Sequence, residues 1–220
     1  MNILFVGTGV VGQRHIRNLK LKFKNINFFT IKGNHSKKIF SDKKGHLKGN
    51  VNSKYNLEPI NISDVNKNIK INAAFICLPH HLHSKFLYKL VRKKVHVFLE
   101  KPGGANANDL KLLKTINKIN KKDKLKIMLG YHLRFHPLIH KLKKLILKKE
   151  VGKILNVLVQ NGEHIADYRS YQKYWKIYHS KKNKGGGVIL NQIHEIDYLM
   201  YLFQNYKFKI TNTFNYKFSK

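Results

Sequence analysis

Asn2-Ile3-Leu4-Phe5-Val6-Gly7-Thr8-Gly9-Val10-Val11-Gly12 opens the chain and decides how the rest of it folds. A short apolar run leads straight into Gly-x-Gly-x-x-Gly, and Ile16, Leu19 and Phe23 then recur at helical spacing. The order strand, glycine turn, helix gives each glycine its own task. Gly7 makes the tight turn, Gly9 admits a pyrophosphate, and Gly12 lets the helix pack on the strand. Backbone N–H groups at the helix start, those of Val10 and Val11 among them, face the phosphates. A bare glycine motif is often an ordinary turn. Its place between strand and helix predicts a dinucleotide-binding unit.

Residues 26–31 read as the second strand, whose end should carry an acid for the adenosine ribose 2′-hydroxyl. The first acid in the chain is Asp42, and the strand runs instead into Lys32-Gly33-Asn34-His35-Ser36-Lys37-Lys38. Lys32 and the groups after it suit a 2′-phosphate, which tilts the choice between NAD and NADP toward NADP. General lysine enrichment would also place cations there. Residues 42–70 read as polar and loop-like, with one short strand and a helix after Ser63.

Residues 73–78 form the next predicted strand, ending in Pro79-His80-His81-Leu82-His83 and a helix to about Val91. Three histidines within four residues invite a metal reading, but a strand end splays adjacent side chains and no carboxylate or thiolate cluster joins them. No metal site is expected. Lining a nucleotide crevice or capping the helix fits these residues better. Val95-His96-Val97-Phe98-Leu99 is a buried parallel strand followed by Glu100-Lys101-Pro102-Gly103-Gly104. In an open α/β sheet that strand end faces the ligand crevice, so the Lys101 ammonium can meet a reacting oxygen there. A solvated lysine in a polar turn is the plainer alternative.

Leu110, Leu113, Ile116 and Ile119 mark another helix, and residues 126–129 a further strand. Pro137 suits the first turn of a helix whose core face is Leu138, Leu142, Leu145 and Ile146. The alternation of strand and helix changes here, which sets a domain boundary near residue 130. A strand from Val151 to about Val159 should open an antiparallel sheet. Tyr168, Tyr171, Tyr174, Trp175 and Tyr178 follow, then Gly185-Gly186-Gly187 and a helix. On it Ile189, Ile193, Ile196, Met200 and Phe203 share a predicted core face, and Asn191, His194 and Asp197 a neighbouring one. A histidine between an amide and a carboxylate is an acid/base candidate. From Tyr206 to Phe218 the apolar residues alternate as in a final strand.

The chain holds 220 residues, 44 Lys+Arg against 11 Asp+Glu, and a formal net charge of +33. Such a balance raises nucleic-acid binding. Yet only five of the cations are arginine, and the lysines are spread over the whole length rather than clustered. The charge reads as compositional background, and no specific nucleic-acid partner is expected. One cysteine, Cys77, within an apolar run excludes a disulfide framework and suits a reducing cytoplasm. No apolar stretch reaches membrane-spanning length, and the opening residues read as a strand rather than a leader.

The glycine fingerprint, Glu100-Lys101-Pro102, residues 131–137 and Gly-Gly-Gly…His-Glu-Ile-Asp together resemble the Gfo/Idh/MocA oxidoreductase family in order and spacing, from Met1 to about Gln204. The resemblance implies an α/β protein: a Rossmann domain over residues 1–130, then a substrate and oligomerisation domain over 131–220 with an open, mainly antiparallel sheet. It implies an NAD(P)-dependent enzyme that moves a hydride between nicotinamide and a hydroxyl-bearing carbon of a sugar, sugar nucleotide or inositol-like polyol. Lys101 would polarise the reacting hydroxyl and His194 act as general acid/base. Arg134, the aromatic segment and Asn191 would lie near the substrate, and Pro79, His83 and Glu100 would line the cofactor crevice. Many relatives carry an aspartate where this chain has Asn191, which supplies no charge. The chain is also shorter than its relatives after Phe203, so a catalytically inactive nucleotide-binding remnant or partner subunit is the alternative. An exposed apolar edge favours a homo-oligomer.

Overall fold

The computed structural model describes residues 1–33, 38–41, 45–168 and 173–214. The chain divides into two compact units, Met1–Tyr131 with Asn161–Ile193, and His132–Gln160 with His194–Lys220.

Apolar runs in the first unit form β1 (Asn2–Val6), β2 (Asn27–Ile31), β3 (Lys38–Ser41), β4 (Gly45–Lys48), β5 (Leu57–Ile60), β6 (Ala73–Ile76), β7 (His96–Leu99) and β8 (Ile127–Leu129). β3 and β4 pair antiparallel as a separate hairpin. The other six make one parallel sheet in the order β5-β2-β1-β6-β7-β8. Parallel neighbours need crossovers. Helices α1 (Val10–Lys22), α2 (Val51–Tyr55), α3 (His83–Val91) and α4 (Ala107–Asp123) lie within those connections. The strand order reverses between β1 and β6, and an open α/β sheet binds ligands outside the carboxyl ends of its strands at such a point.

β1 reads as continuous apolar sequence because both of its faces are covered. Alternate residues enter two cores. Leu4 and Val6 join Ala74, Ile76, Leu87, Leu90, Val97, Leu99 and Ile116, whereas Ile3 and Phe5 join Ile16, Phe28, Val51, Tyr55 and Leu57. Phe5, Phe75 and Phe98 stack in a row across β1, β6 and β7, with centroids 5.0 and 4.9 Å apart. α4 starts in a capping box, with the Asn106 side chain accepting from the amides of Asn108 and Asp109. The Asp109 carboxylate accepts in return from the amides of Ala105 and Asn106, and from the Ser84 hydroxyl.

The helix expected after Ser63 is absent; the segment makes tight turns. Lys67, Asn68 and Ile69 all donate to the Asp64 carbonyl. Asn66, at φ 51°, accepts the Ile71 amide on its side chain and donates to the Lys93 carbonyl. Side-chain bonds of this kind satisfy the backbone locally and compete with helix. The hairpin and α2 escaped the sequence reading. α2 is short, and its start is fixed by Asn50, whose side chain accepts from the amides of Asn52 and Ser53.

The remaining helices are α5 (Pro137–Leu147), α6 (Ile165–Tyr168), α7 (Val188–Asn191) and α8 (Ile193–Leu202). α5 has Pro137 in its first turn and His136 as its cap, accepting from the Leu138 amide. The antiparallel sheet expected in the second domain is not found among the described residues: 153–164 and 207–214 carry no regular secondary structure. Alternation specifies a face, but a strand also needs a neighbour for its N–H and C=O groups. Neither stretch has one among the described residues. Tyr216 and Phe218 of the expected last strand lie outside those residues. The predicted core stripes of α5 and α8 hold only in part: Phe203 is buried and Leu145, Ile146 and Ile193 are half-buried. Leu138 and Met200 are 67% and 51% exposed, Leu142 and Ile196 are exposed too, and Ile189 lies on α7, a separate helix that ends at Gln192. The α/β class and the parallel Rossmann-type sheet stand as read from the sequence.

Replacing Phe5, fully buried and stacked on Phe75, by alanine should cost about 3–5 kcal/mol. Urea denaturation followed by circular dichroism measures it, and a midpoint equal to that of the parent would remove the aromatic row as a core element.

Candidate functional site

The glycine turn sits where β1 meets α1. A Cβ on Gly7, at φ +100°, would stand 2.5 Å from the Cys77 carbonyl oxygen, and a Cβ on Gly12 only 2.3 Å from that of Gly7. Both glycines are therefore demanded by close backbone packing. Gly9 differs, because a Cβ there would meet nothing within 4 Å. It is the N-cap of α1, no side chain caps the helix, and Val10 and Val11 form its first turn. An approaching phosphate would find a helix start with amides directed outward and no Cβ at Gly9 in its way. These residues fit a dinucleotide pyrophosphate. Gln13, missed in the sequence, is buried beneath the turn. Its amide donates to the carbonyls of Thr8 and Lys38 and accepts from the Phe40 amide, tying β3 to the glycine turn. Lys32 is exposed at the end of β2, and Asn34, His35, Ser36 and Lys37 of the cationic stretch lie outside the described residues.

The second cluster forms at the carboxyl end of β7. The Glu100 amide donates to Ile76, prolonging the ladder by one bond, and Pro102 follows Lys101 through a cis peptide. The half-buried Lys101 Nζ donates to the Asn191 carbonyl at 2.6 Å. A solvated lysine is thus not what the fold makes. His83 is fully buried, with Nδ1 2.6 Å from the Pro102 carbonyl and Nε2 2.8 Å from that of Leu78. Burial pushes its pKa down, against the pull of the two carbonyls. It touches backbone on both sides, and so holds the turn that carries Lys101. Pro79 lies half-buried at the end of the β6 loop, and Glu100 is bound to His15 on α1 at 2.7 Å.

His80 is buried too, and its Nδ1 meets the Gly185 carbonyl at 2.8 Å. Tyr178 and His179 pack edge-on against its ring. Gly185, at φ +76°, leaves room for His80 and Ala105, each of whose Cβ atoms lies 2.8 Å from where its own would be. A Cβ on Gly186 would stand 2.4 Å from the His179 carbonyl oxygen. The glycine run therefore exists for docking. It seats the segment that delivers the Asn191 carbonyl to Lys101, while the Asn191 side-chain Nδ2 donates to the His179 carbonyl. The Asn191 Oδ1 is buried and accepts no hydrogen bond. Of the aromatic segment, Trp175 is exposed beside Tyr174 and Tyr178 serves as packing; Tyr171 and the Tyr168 side chain lie outside what is described.

In the second unit, Arg134 grips Asp197 with two hydrogen bonds of 2.6 and 2.8 Å. Asp197 is buried, so this bidentate pair fixes the turn His132–Phe135 on α8. The Asp197 charge is paired with Arg134. The His194 ring meets His132 edge-on, with centroids 4.5 Å apart. Asn191 belongs to α7 and the helix breaks at Gln192, so the three-residue step from Asn191 to His194 does not run along one helix. Among the described residues no three His, Cys, Asp or Glu side chains are grouped to hold a metal ion.

Two outcomes follow from this geometry. Gly9→Ala should leave the unfolding midpoint unchanged, whereas Gly12→Ala, which drives a methyl into a backbone carbonyl, should cost about 1–3 kcal/mol in the same denaturation experiment. His80 is the second case: burial pushes its pKa down from 6.5 to about 4. The unfolded chain then binds a proton between those values that the folded chain does not. Stability should fall as pH drops from 6.5 to about 4, by about 3 kcal/mol from this residue. Urea curves at pH 7 and pH 4.5 should show a smaller loss for His80→Asn than for the parent. Equal losses would leave His80 out of the acid response.

Comparison with known proteins places this geometry. The model of the oxidoreductase family with NAD-binding Rossmann fold, Gfo/Idh/MocA, matches residues 1–131. The 2,7-anhydro-N-acetylneuraminate hydratase of Escherichia coli K12 is 26% identical over 151 residues, 66% of this chain and 38% of that protein. Glucose-6-phosphate 3-dehydrogenase of Bacillus subtilis is 27% identical over 131 residues, 59% of this chain and 36% of that one. The chain thus spans well under half the length of these curated relatives. Among solved structures, scyllo-inositol dehydrogenase from Lactobacillus casei with bound NAD(H) and scyllo-inositol aligns with a TM-score of 0.65 at 20% identity, covering 92% of this chain and 56% of that one. The WlbA dehydrogenase from Bordetella pertussis with NADH and UDP-GlcNAcA gives 0.66 at 18%, covering 92% and 58%. The family model covers more than half of the chain, and the chain belongs to the Gfo/Idh/MocA oxidoreductase family.

Proposed function

We propose that the protein is an NAD(P)-dependent oxidoreductase that transfers a hydride between nicotinamide and a hydroxyl-bearing carbon of a sugar, sugar nucleotide or inositol-like polyol. The observation that carries this reading is the Lys101 ammonium, held by the Asn191 carbonyl at a strand end of the same sheet whose first strand leads into an open glycine turn. Relatives named as glucose-6-phosphate and scyllo-inositol dehydrogenases support the substrate class.

In this reading residues 1–130 hold the cofactor, and 131–220 serve the substrate and the assembly of a homo-oligomer. Gly7, Gly9, Gly12 and the amides of Val10 and Val11 take the pyrophosphate. Lys32 stands at the adenosine ribose and favours NADP over NAD. Pro79 and Glu100 line the crevice, and His83 acts through the Pro102 and Leu78 carbonyls it contacts. The nicotinamide, when bound, supplies the hydride chemistry. Lys101 meets the developing alkoxide with a fixed positive charge. His194 exchanges the hydroxyl proton on its imidazole, and Asn191 and Arg134 orient the substrate, Arg134 being steadied by Asp197. A single half-buried thiol and the absence of a long apolar helix among the described residues suit a reducing cytoplasm.

The first test is titration of the purified chain with NADPH and NADH, followed by nicotinamide fluorescence. Saturable binding with NADPH preferred is expected. Lys101→Ala should then lower turnover on a polyol and sugar-nucleotide panel by about a hundredfold or more while cofactor affinity stays within twofold. Turnover retained by that variant would take Lys101 out of the chemistry. Cofactor binding by the parent with no net reduction of NAD(P) on any panel member would favour the inactive remnant instead. Product analysis also separates oxidation from the net hydration named for one relative.

A further inference from the structure

We infer that His15 is a positioning residue that fastens the turn carrying Lys101 to the helix of the glycine fingerprint. His15 stands one turn beyond Gly12 on α1, and its Nε2 is 2.7 Å from Glu100 Oε1. The carboxylate accepts, so Nε2 carries the proton. The ring is lodged between side chains of two strands: its centroid is 5.3 Å from that of Phe75 on β6 and 5.0 Å from that of Phe98 on β7. Those two phenyl rings belong to the row that starts at Phe5, so the imidazole rests on a rigid floor. Space for the carboxylate is kept from the other side. A Cβ on Gly130 would lie 3.3 Å from Glu100 Oε2.

Glu100 is thus pinned twice, by its amide to the Ile76 carbonyl and by its carboxylate to His15. The next residue is Lys101. Its ammonium is anchored at the far end, on the Asn191 carbonyl. A shift of α1 that accompanied ligation of its first turn would reach Glu100 through one side-chain hydrogen bond. Placement of Lys101 and occupation of the glycine turn are then coupled, and His15 is the link. Both side chains are about one-fifth exposed, so the bond lies at the rim of the crevice rather than in the core.

The affinity arm of the test rests on the cofactor reading above; the exchange arm does not. NADH titrations are run on the parent, His15→Ala, His15→Gln, Glu100→Ala and the His15→Ala/Glu100→Ala double variant. Each of His15→Ala and Glu100→Ala should weaken binding at least about fivefold, and the double variant no further than the weaker single. His15→Gln, which keeps an N–H donor, should recover most of the loss. Multiplying losses in the double variant, or a glutamine no better than alanine, overturns the inference. Hydrogen–deuterium exchange of the cofactor-free proteins is followed in parallel at residues 100–104. His15→Ala should raise exchange there at least about fivefold and leave β1 and β2 at the parent rate. Should the parent bind no NADH, the cofactor reading fails and exchange alone decides: equal rates in parent and His15→Ala overturn the inference.

Discussion

The shortest backbone approach at the glycine turn, Gly12 against the carbonyl of Gly7, sets the position of everything around it. With no side chain between them, α1 presses directly on the end of β1. Gln13 then reaches the carbonyls of Thr8 and Lys38, His15 reaches Glu100, and Ile16 enters the core under Phe5. A methyl group at that contact would lift the helix and lengthen all three connections together. Overpacking in such a site has no soft neighbour to move, since what it meets is backbone.

The two glycine-rich stretches work by the same physics toward different ends. At residues 7–12 the missing side chains bring helix to strand and leave an open approach at Gly9. At 185–187 they bring a returning segment down onto His80 and Ala105, and that segment presents a carbonyl to Lys101. Burial pushes the pKa of both His80 and His83 down, and both serve as rigid spacers directed at backbone oxygens. Two of the three histidines after β6 thus serve the architecture around the lysine.

The parallel sheet was legible because buried strands write themselves as unbroken apolar runs bounded by turn residues. Leu4, Ile76 and Leu99 on one face and Ile3 and Phe5 on the other are all buried, and the helices between the strands repeat at their own period. The glycine turn and Lys101 were legible for the related reason that local sequence fixes local backbone. What escaped were contacts between residues distant in sequence. Nothing in the stretch 10–22 reveals that Gln13 will satisfy a hairpin 25 residues on, or that His15 will find Glu100. The same blindness ran the other way at 151–159 and 206–214, where alternation suggested strands whose partners it could not supply. Arg134 and Asp197 looked like separate polar positions and are one bidentate pair.

Trp175 is the one tryptophan of the chain, and it lies exposed beside Tyr174 in the segment that the glycine run seats on the first unit. The protein accordingly carries its own optical gauge at one location. Its emission reports the surroundings of Trp175, and the sheet contributes no tryptophan of its own. Detachment of that segment would change tryptophan emission while far-ultraviolet dichroism of the sheet and its helices stayed constant.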